Sequence, residues 1–289
     1  MIHYLATVRS EKPGFEEIAA LGADAKDLWA DRLEVDFSRC GFFDANMASP
    51  LAAILARAAD NLNAIEIVKI PAAIERILCK NGFLVTYGYD PVSDTNQTTL
   101  PFRRVQLSDQ GRFVDYLNTY LKGKGIPRMT EGLGKIFRQS IFEVFQNAVV
   151  HSQSRLGIFV CGQFYPQLQR LDLTITDAGI GIRTNVRRRL KTKISSVAAI
   201  QWALQKGNTT KTGPQPGGVG LKFLREFIAL NRGKIQITSR LGFYEFQNGK
   251  ERFQTLAADF HGTSVNLEIN TADTSDYRLD SENSVDDIF

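Results

Sequence analysis

The chain has 289 residues, enough for one large domain or two ordinary ones, and a 43% hydrophobic content that supports buried cores. Its formal net charge of +4 falls short of the clustered basic surface of a dedicated nucleic-acid binder, so nucleic acid is not the expected partner. No apolar run reaches membrane-spanning length, the N-terminus lacks a secretory-signal pattern, and Cys40, Cys79 and Cys161 form no CxxC pair. These features lead us to expect a cytoplasmic protein with reduced thiols, no membrane association and neither zinc nor disulfides.

In chain order, "DRLEVDF" from Asp31 reads as an apolar strand, followed by a helical stretch from Ala45, "ANMASPLAAILARAADNL". A second strand, "AIEIVKI", precedes the helix "PAAIERILCKNG", with Pro71 near its start and Gly82 at its stop. This alternation predicts a small α/β unit with a parallel strand pair. "DPVSDTNQTTLP", Asp90 to Pro101, is rich in turn formers and marks the domain boundary. Helices are then expected over about Arg112–Leu121 and Leu133–Val150. Next come the strands "LGIFVCGQF" and "RLDLTITD", a loop, and a helix near Ser196–Gln205. A Gly-rich loop, the helix "LKFLREFIAL" and the strands "KIQITSR" and "GTSVNLEI" complete the order. The segment 271–289 carries six acids against Arg278 alone and is expected to be a disordered acidic tail. The predicted fold class is α/β, an α+β sandwich whose second half is a mixed sheet layered with helices.

Within the predicted helix "FEVFQNAVVHS", Glu143, Asn147 and His151 recur every fourth residue. At about 100° per residue they form one polar stripe on an apolar body. Such a stripe is ordinarily a solvated face. Three further stretches raise its interest. "LTITD" runs into "DAGIGI", which sets Asp177 at a strand end with Gly179 and Gly181 in the turn. "GNTTKTGPQPGGVGLKFL" brings Gly217, Gly218 and Gly220 to a helix start, where backbone N–H groups and the helix dipole favour phosphate. "FHGTSV" supplies Thr263 at the last strand.

Taken together and in this order, the four stretches resemble the Bergerat nucleotide-binding fold of the GHKL ATPases over about Gly111–Asn270. The resemblance implies an ATP-binding domain over 96–270 with ATP and Mg2+ as cofactors. Asn147 resembles the family's magnesium-binding asparagine, and Glu143 resembles the carboxylate that activates the attacking water. Asp177, helped by Thr263, resembles the acid that reads adenine. His151 resembles a position near phosphate or ribose. Gly179, Gly181, Ile182, Gly217, Gly218, Val219, Gly220 and Leu221 fall on the nucleotide-binding motifs. Arg183 to Pro216 corresponds to a mobile lid in which Thr209 and Lys211 would contact phosphate.

His3, His151 and His261 are the only histidines, and none is placed as the phosphoacceptor of a histidine kinase. No transducer-length segment follows the last strand, unlike topoisomerase, chaperone and mismatch-repair members. The compact anti-sigma-factor kinase branch is the remaining match. Over 1–95, "LEVDFSRCGFFDANMASPLAAILARA" resembles a STAS domain of anti-sigma antagonists. Phe43 and Asp44 fit, but Ala45 and Asn46 stand where serines would be phosphorylated. The unit would then dock a partner, a second copy, or its own ATPase half as a pseudo-substrate. The implied function is a Mg-ATP-dependent switch that hydrolyses ATP or phosphorylates Ser/Thr on a protein partner, with a STAS or sigma-type regulator as the partner the resemblance suggests. A non-catalytic ATP sensor is the alternative.

Overall fold

A computed structural model describes residues 1–205, 207–208, 219–279 and 282. The first half alternates strand and helix: β1 (Ile2–Tyr4), α1 (Lys12–Asp24), β2 (Arg32–Asp36), α2 (Ala48–Asp60), β3 (Ala64–Val68) and α3 (Ala72–Lys80). The strands pair in parallel in the order β1-β2-β3, with Leu33 opposite Ile65. The helix expected from Ala45 begins with a tight turn over Ala45–Met47 before α2. Buried residues cover most of α2, including Leu51, Ile54 and Leu55. That explains its apolar run without a clean stripe.

Residues 88–98 form no strand or helix. The second half then runs β4 (Thr99–Val105), α4 (Gln110–Tyr120), β5 (Arg128–Met129), α5 (Glu131–His151), β6 (Ile158–Tyr165) and β7 (Arg170–Asp177). It continues with α6 (Gly181–Leu190), α7 (Ser196–Leu204), α8 (Val219–Asn231), β8 (Lys234–Gln247), β9 (Lys250–Asn270) and β10 (Asp276–Tyr277). A five-stranded sheet has the order β4-β6-β7-β9-β8. Every pairing in it is antiparallel, which corrects the mixed sheet expected from the sequence. Tight reversals join β6 to β7 and β8 to β9, and so short a connection permits only antiparallel neighbours.

Side chains alternate across β7, and the two faces have different chemistry. Leu171, Leu173 and Ile175 join a core with Ile141, Val144 and Phe145 of α5 and Leu224 and Phe227 of α8. The Phe113 and Phe145 rings stack 4.3 Å apart and fix α4 on α5. The opposite face presents Asp172, Thr174 and Thr176, all buried under the first half of the chain. Asn46 Nδ2 lies 2.9 Å from Thr174 Oγ1 and 3.1 Å from Asn266 Oδ1. Ser49 Oγ donates to the Phe159 carbonyl at 2.9 Å. The Arg170 guanidinium donates to Asp44 at 2.5 Å.

The acidic tail needs a second correction. β10 pairs with β5, and the Tyr277 ring meets Phe227 edge-on with centroids 5.4 Å apart. Asn231 Nδ2 donates to Asp273 at 2.9 Å. The half-buried Tyr277 ring and a two-residue strand tie residues 271–279 to the second half despite their acidity. Residues 280, 281 and 283–289 lie outside the described part. Cys40, Cys79 and Cys161 are free and buried, and among the described residues no helix is long and apolar enough to cross a membrane.

Candidate functional site

The side chain of Thr130 caps α5 by accepting the Leu133 N–H at 3.3 Å, and Glu131 in the first turn complements the helix dipole. The helix lies on β7 and sends Asn147 and His151 into a cleft of about 170 Å³. A single water needs roughly 10–15 Å³ of such space, so the cleft has room for a ring system. Its walls are largely apolar, with Val144 and Ala148 from α5, Ile175 from β7, Ile237 from β8 and Val265 from β9. Ile182 and Leu221 also line it. A few polar groups in an apolar cleft are the usual make-up of a small-molecule site.

Asp177 lines the cleft at the end of β7 and is 3% exposed. Its Oδ1 accepts the Gly179 N–H at 2.8 Å. Burial pushes its pKa up to about 7, opposed by the backbone N–H groups of Gly179 and Thr263. Thr263 stands opposite Asp177 in the β7–β9 register and lines the same cleft. Three stretches far apart in sequence therefore bring Asn147, His151, Asp177 and Thr263 to one cavity.

The glycines of "DAGIG" answer to the protein's own packing. A Cβ on Gly179 would lie 2.0 Å from the Ser152 carbonyl, and Ile180 donates its N–H to that carbonyl at 2.9 Å. The missing side chain lets the loop clamp onto the end of α5. Gly181, also in the cleft lining, has φ +77°, and a Cβ there would press on Ser239 and Arg240.

Glu143 does not line the cleft with Asn147. Its carboxylate accepts the Gly220 N–H at 2.7 Å, which joins α5 to the first turn of α8. Two of the expected site residues, one for water and one for phosphate, are bonded to each other. Val219 opens α8. Thr209, Lys211, Gly217 and Gly218 lie outside the described residues.

The segment expected as a mobile lid is largely helical where it is described. α6 and α7 occupy most of it, and Ser195 caps α7 by accepting the Ala198 N–H at 3.1 Å. These helices supply cleft residues the sequence reading missed, Asn185, Ile200 and Trp202, and the loop after α7 adds Asn208. Asn185 Nδ2 donates to the His151 carbonyl at 2.8 Å and ties α6 to α5. Trp202, one of only two tryptophans in the chain, was the one available signal.

Among the described residues no cluster of three or more His, Cys, Asp or Glu could hold a metal. Asn147 contributes a single oxygen donor. That fits magnesium, which keeps several waters and takes its other ligands from substrate phosphates. No model of a known protein family matches the chain, and no curated protein matches it either.

Proposed function

We propose that the second half of this chain binds ATP in the α5–β7 cleft, and that the bound nucleotide changes the protein's hold on a protein partner. The single observation that carries this reading is Asp177: a buried acid at the end of an apolar cleft, paired across the strands with Thr263 and facing Asn147 and His151. A flat base would fill the apolar part and give its amino hydrogens to Asp177. Asn147 would hold magnesium on the phosphates, and the ion would neutralise their charge. In the catalytic form of this reading the bound ATP is hydrolysed or its γ-phosphate passes to a partner Ser or Thr, with Glu143 as the base.

The Glu143–Gly220 contact favours the second reading, a sensor without turnover, because the carboxylate is engaged by backbone away from the cleft. Titration calorimetry with ADP and ATP tests the shared part. Micromolar to millimolar binding that Asp177→Asn weakens tenfold or more is expected, and no binding at millimolar nucleotide would refute it. Incubation with γ-labelled ATP then separates the forms. Released phosphate or a labelled partner identifies catalysis, and bound but intact ATP identifies a sensor.

A further inference from the structure

Ser239 lies on β8 and is 1% exposed, behind Thr263 and outside the cleft lining. Its hydroxyl makes three contacts. The Ile182 N–H donates to Oγ at 2.9 Å, the Gly262 carbonyl accepts from it at 3.0 Å, and Thr263 Oγ1 lies 3.1 Å away. A hydroxyl has one proton and two lone pairs, an amide N–H only donates, and a carbonyl only accepts. The Ser239 proton therefore belongs to Gly262 and one lone pair to Ile182. Only the second lone pair is left for Thr263. Thr263 must then direct its own proton at Ser239, which leaves it only lone pairs for the cleft.

Asp177, its neighbour across the strands, is also an acceptor alone when ionised. One end of the cleft thus offers two acceptors and no side-chain donor from this pair. An exocyclic amino group satisfies both. A ring carbonyl in the same place would face lone pairs and leave buried acceptors unpaired, and such mismatches discriminate strongly.

We propose that Ser239 is a positioning residue for base specificity: by fixing Thr263 as an acceptor, it makes the cleft prefer a 6-amino purine nucleotide over its 6-oxo counterpart. The inference rests on the nucleotide reading of the cleft. It goes beyond that reading by assigning selectivity to a side chain that would not touch the ligand.

The test compares ADP and IDP binding to the full chain by calorimetry at pH 8.5, where Asp177 is ionised. The wild-type protein should bind ADP more tightly. Ser239→Ala frees the Thr263 hydroxyl to donate, so the ADP/IDP preference should shrink about three- to tenfold. Ser239→Thr, which keeps a hydroxyl, should retain it. Thr263→Val should also shrink the preference, and adding Ser239→Ala to that variant should change nothing more, because Ser239 acts only through Thr263. A folded Ser239→Ala with the wild-type ratio overturns the inference, as does an additive double variant. If Ser239→Ala does not fold, an undiminished preference in Thr263→Val overturns it instead. ADP binding with an unchanged ratio removes this inference alone, whereas a wild-type protein that binds neither nucleotide removes the nucleotide reading as well.

Discussion

Burial sets the charge of Asp177 against folding. Its pKa rises from the ordinary carboxylate range to about 7 because burial strips its water. Between pH 4 and about pH 7 the folded chain keeps a proton that the unfolded chain has lost. Stability from this group is therefore full below pH 4, falls as pH rises through that window, and is flat above it. Asp177→Asn has no charge to bury. It should be more stable than wild type at pH 8 by about 1–4 kcal/mol and close to parity at about pH 3.5, below the unfolded-chain pKa, while binding ADP less tightly. Urea midpoints at the two pH values check this, and an equal difference at both would show that folding does not raise the Asp177 pKa. This residue was legible in sequence because an acid at the end of the alternating strand "RLDLTITD" is out of place in a core. Ser239 was not, since a serine in "KIQITSR" fits any strand and its meaning comes only from its three partners.

At the scale of elements, the helices and strands with strong apolar patterns were legible, among them α2, α5, β7 and α8. α6 was not, because "GIRTNVRRRL" buries only Gly181 and Val186 and carries basic residues through its last turn. Its anchorage is tertiary, through Ile182 to Ser239 and Asn185 to His151. α1 was also missed: its first turn holds Pro13 and Gly14, a pair that ordinarily marks a turn. A Cβ on Gly14 would lie 2.0 Å from the Arg9 carbonyl, so that glycine serves packing. The α5–α8 contact is likewise invisible in sequence and makes a sharp prediction. Gly→Ala inside a helix ordinarily gains up to about 1 kcal/mol. At Gly220 the new Cβ would lie 2.7 Å from Glu143 Oε2 and 2.9 Å from Glu143 Cβ. Gly220→Ala should therefore lose about 1–3 kcal/mol by overpacking. Truncating the obstruction in Glu143→Ala/Gly220→Ala should recover part of that loss, a non-additivity that thermal unfolding of the four proteins reads directly. A Gly220→Ala protein that gains stability would mean α8 does not start against Glu143.

For the whole molecule, the sequence could suggest that the first half docks a partner, but not where. It docks on its own second half, against the sheet face opposite the cleft. A strand such as β7 has two faces, and Asp172, Thr174 and Thr176 look like a solvated one until a cover is found. That cover is Asp44, Asn46 and Ser49. The interface is polar at its middle and apolar around it: Phe159, Phe243, Leu256 and Phe260 of the second half share one core with Phe15, Leu51 and Phe83 of the first. Halves that share a core cannot unfold independently without exposing it. The chain should therefore melt in one transition, with Trp202 fluorescence, read in a Trp29→Phe background, coinciding with far-ultraviolet circular dichroism. Asn46→Leu tests whether the polar middle holds the halves in place. It takes one donor from Thr174 and Asn266, which still bond each other at 2.8 Å, and leaves the buried Ser10 hydroxyl without its Asn46 partner, a loss of about 1–3 kcal/mol for the buried group left unpaired. Both probes should shift down together by that amount. If only one probe moved, or the two separated in the wild-type protein, the halves would be independent domains. A signal at the first half would then have no packed route to the strand that ends in Asp177.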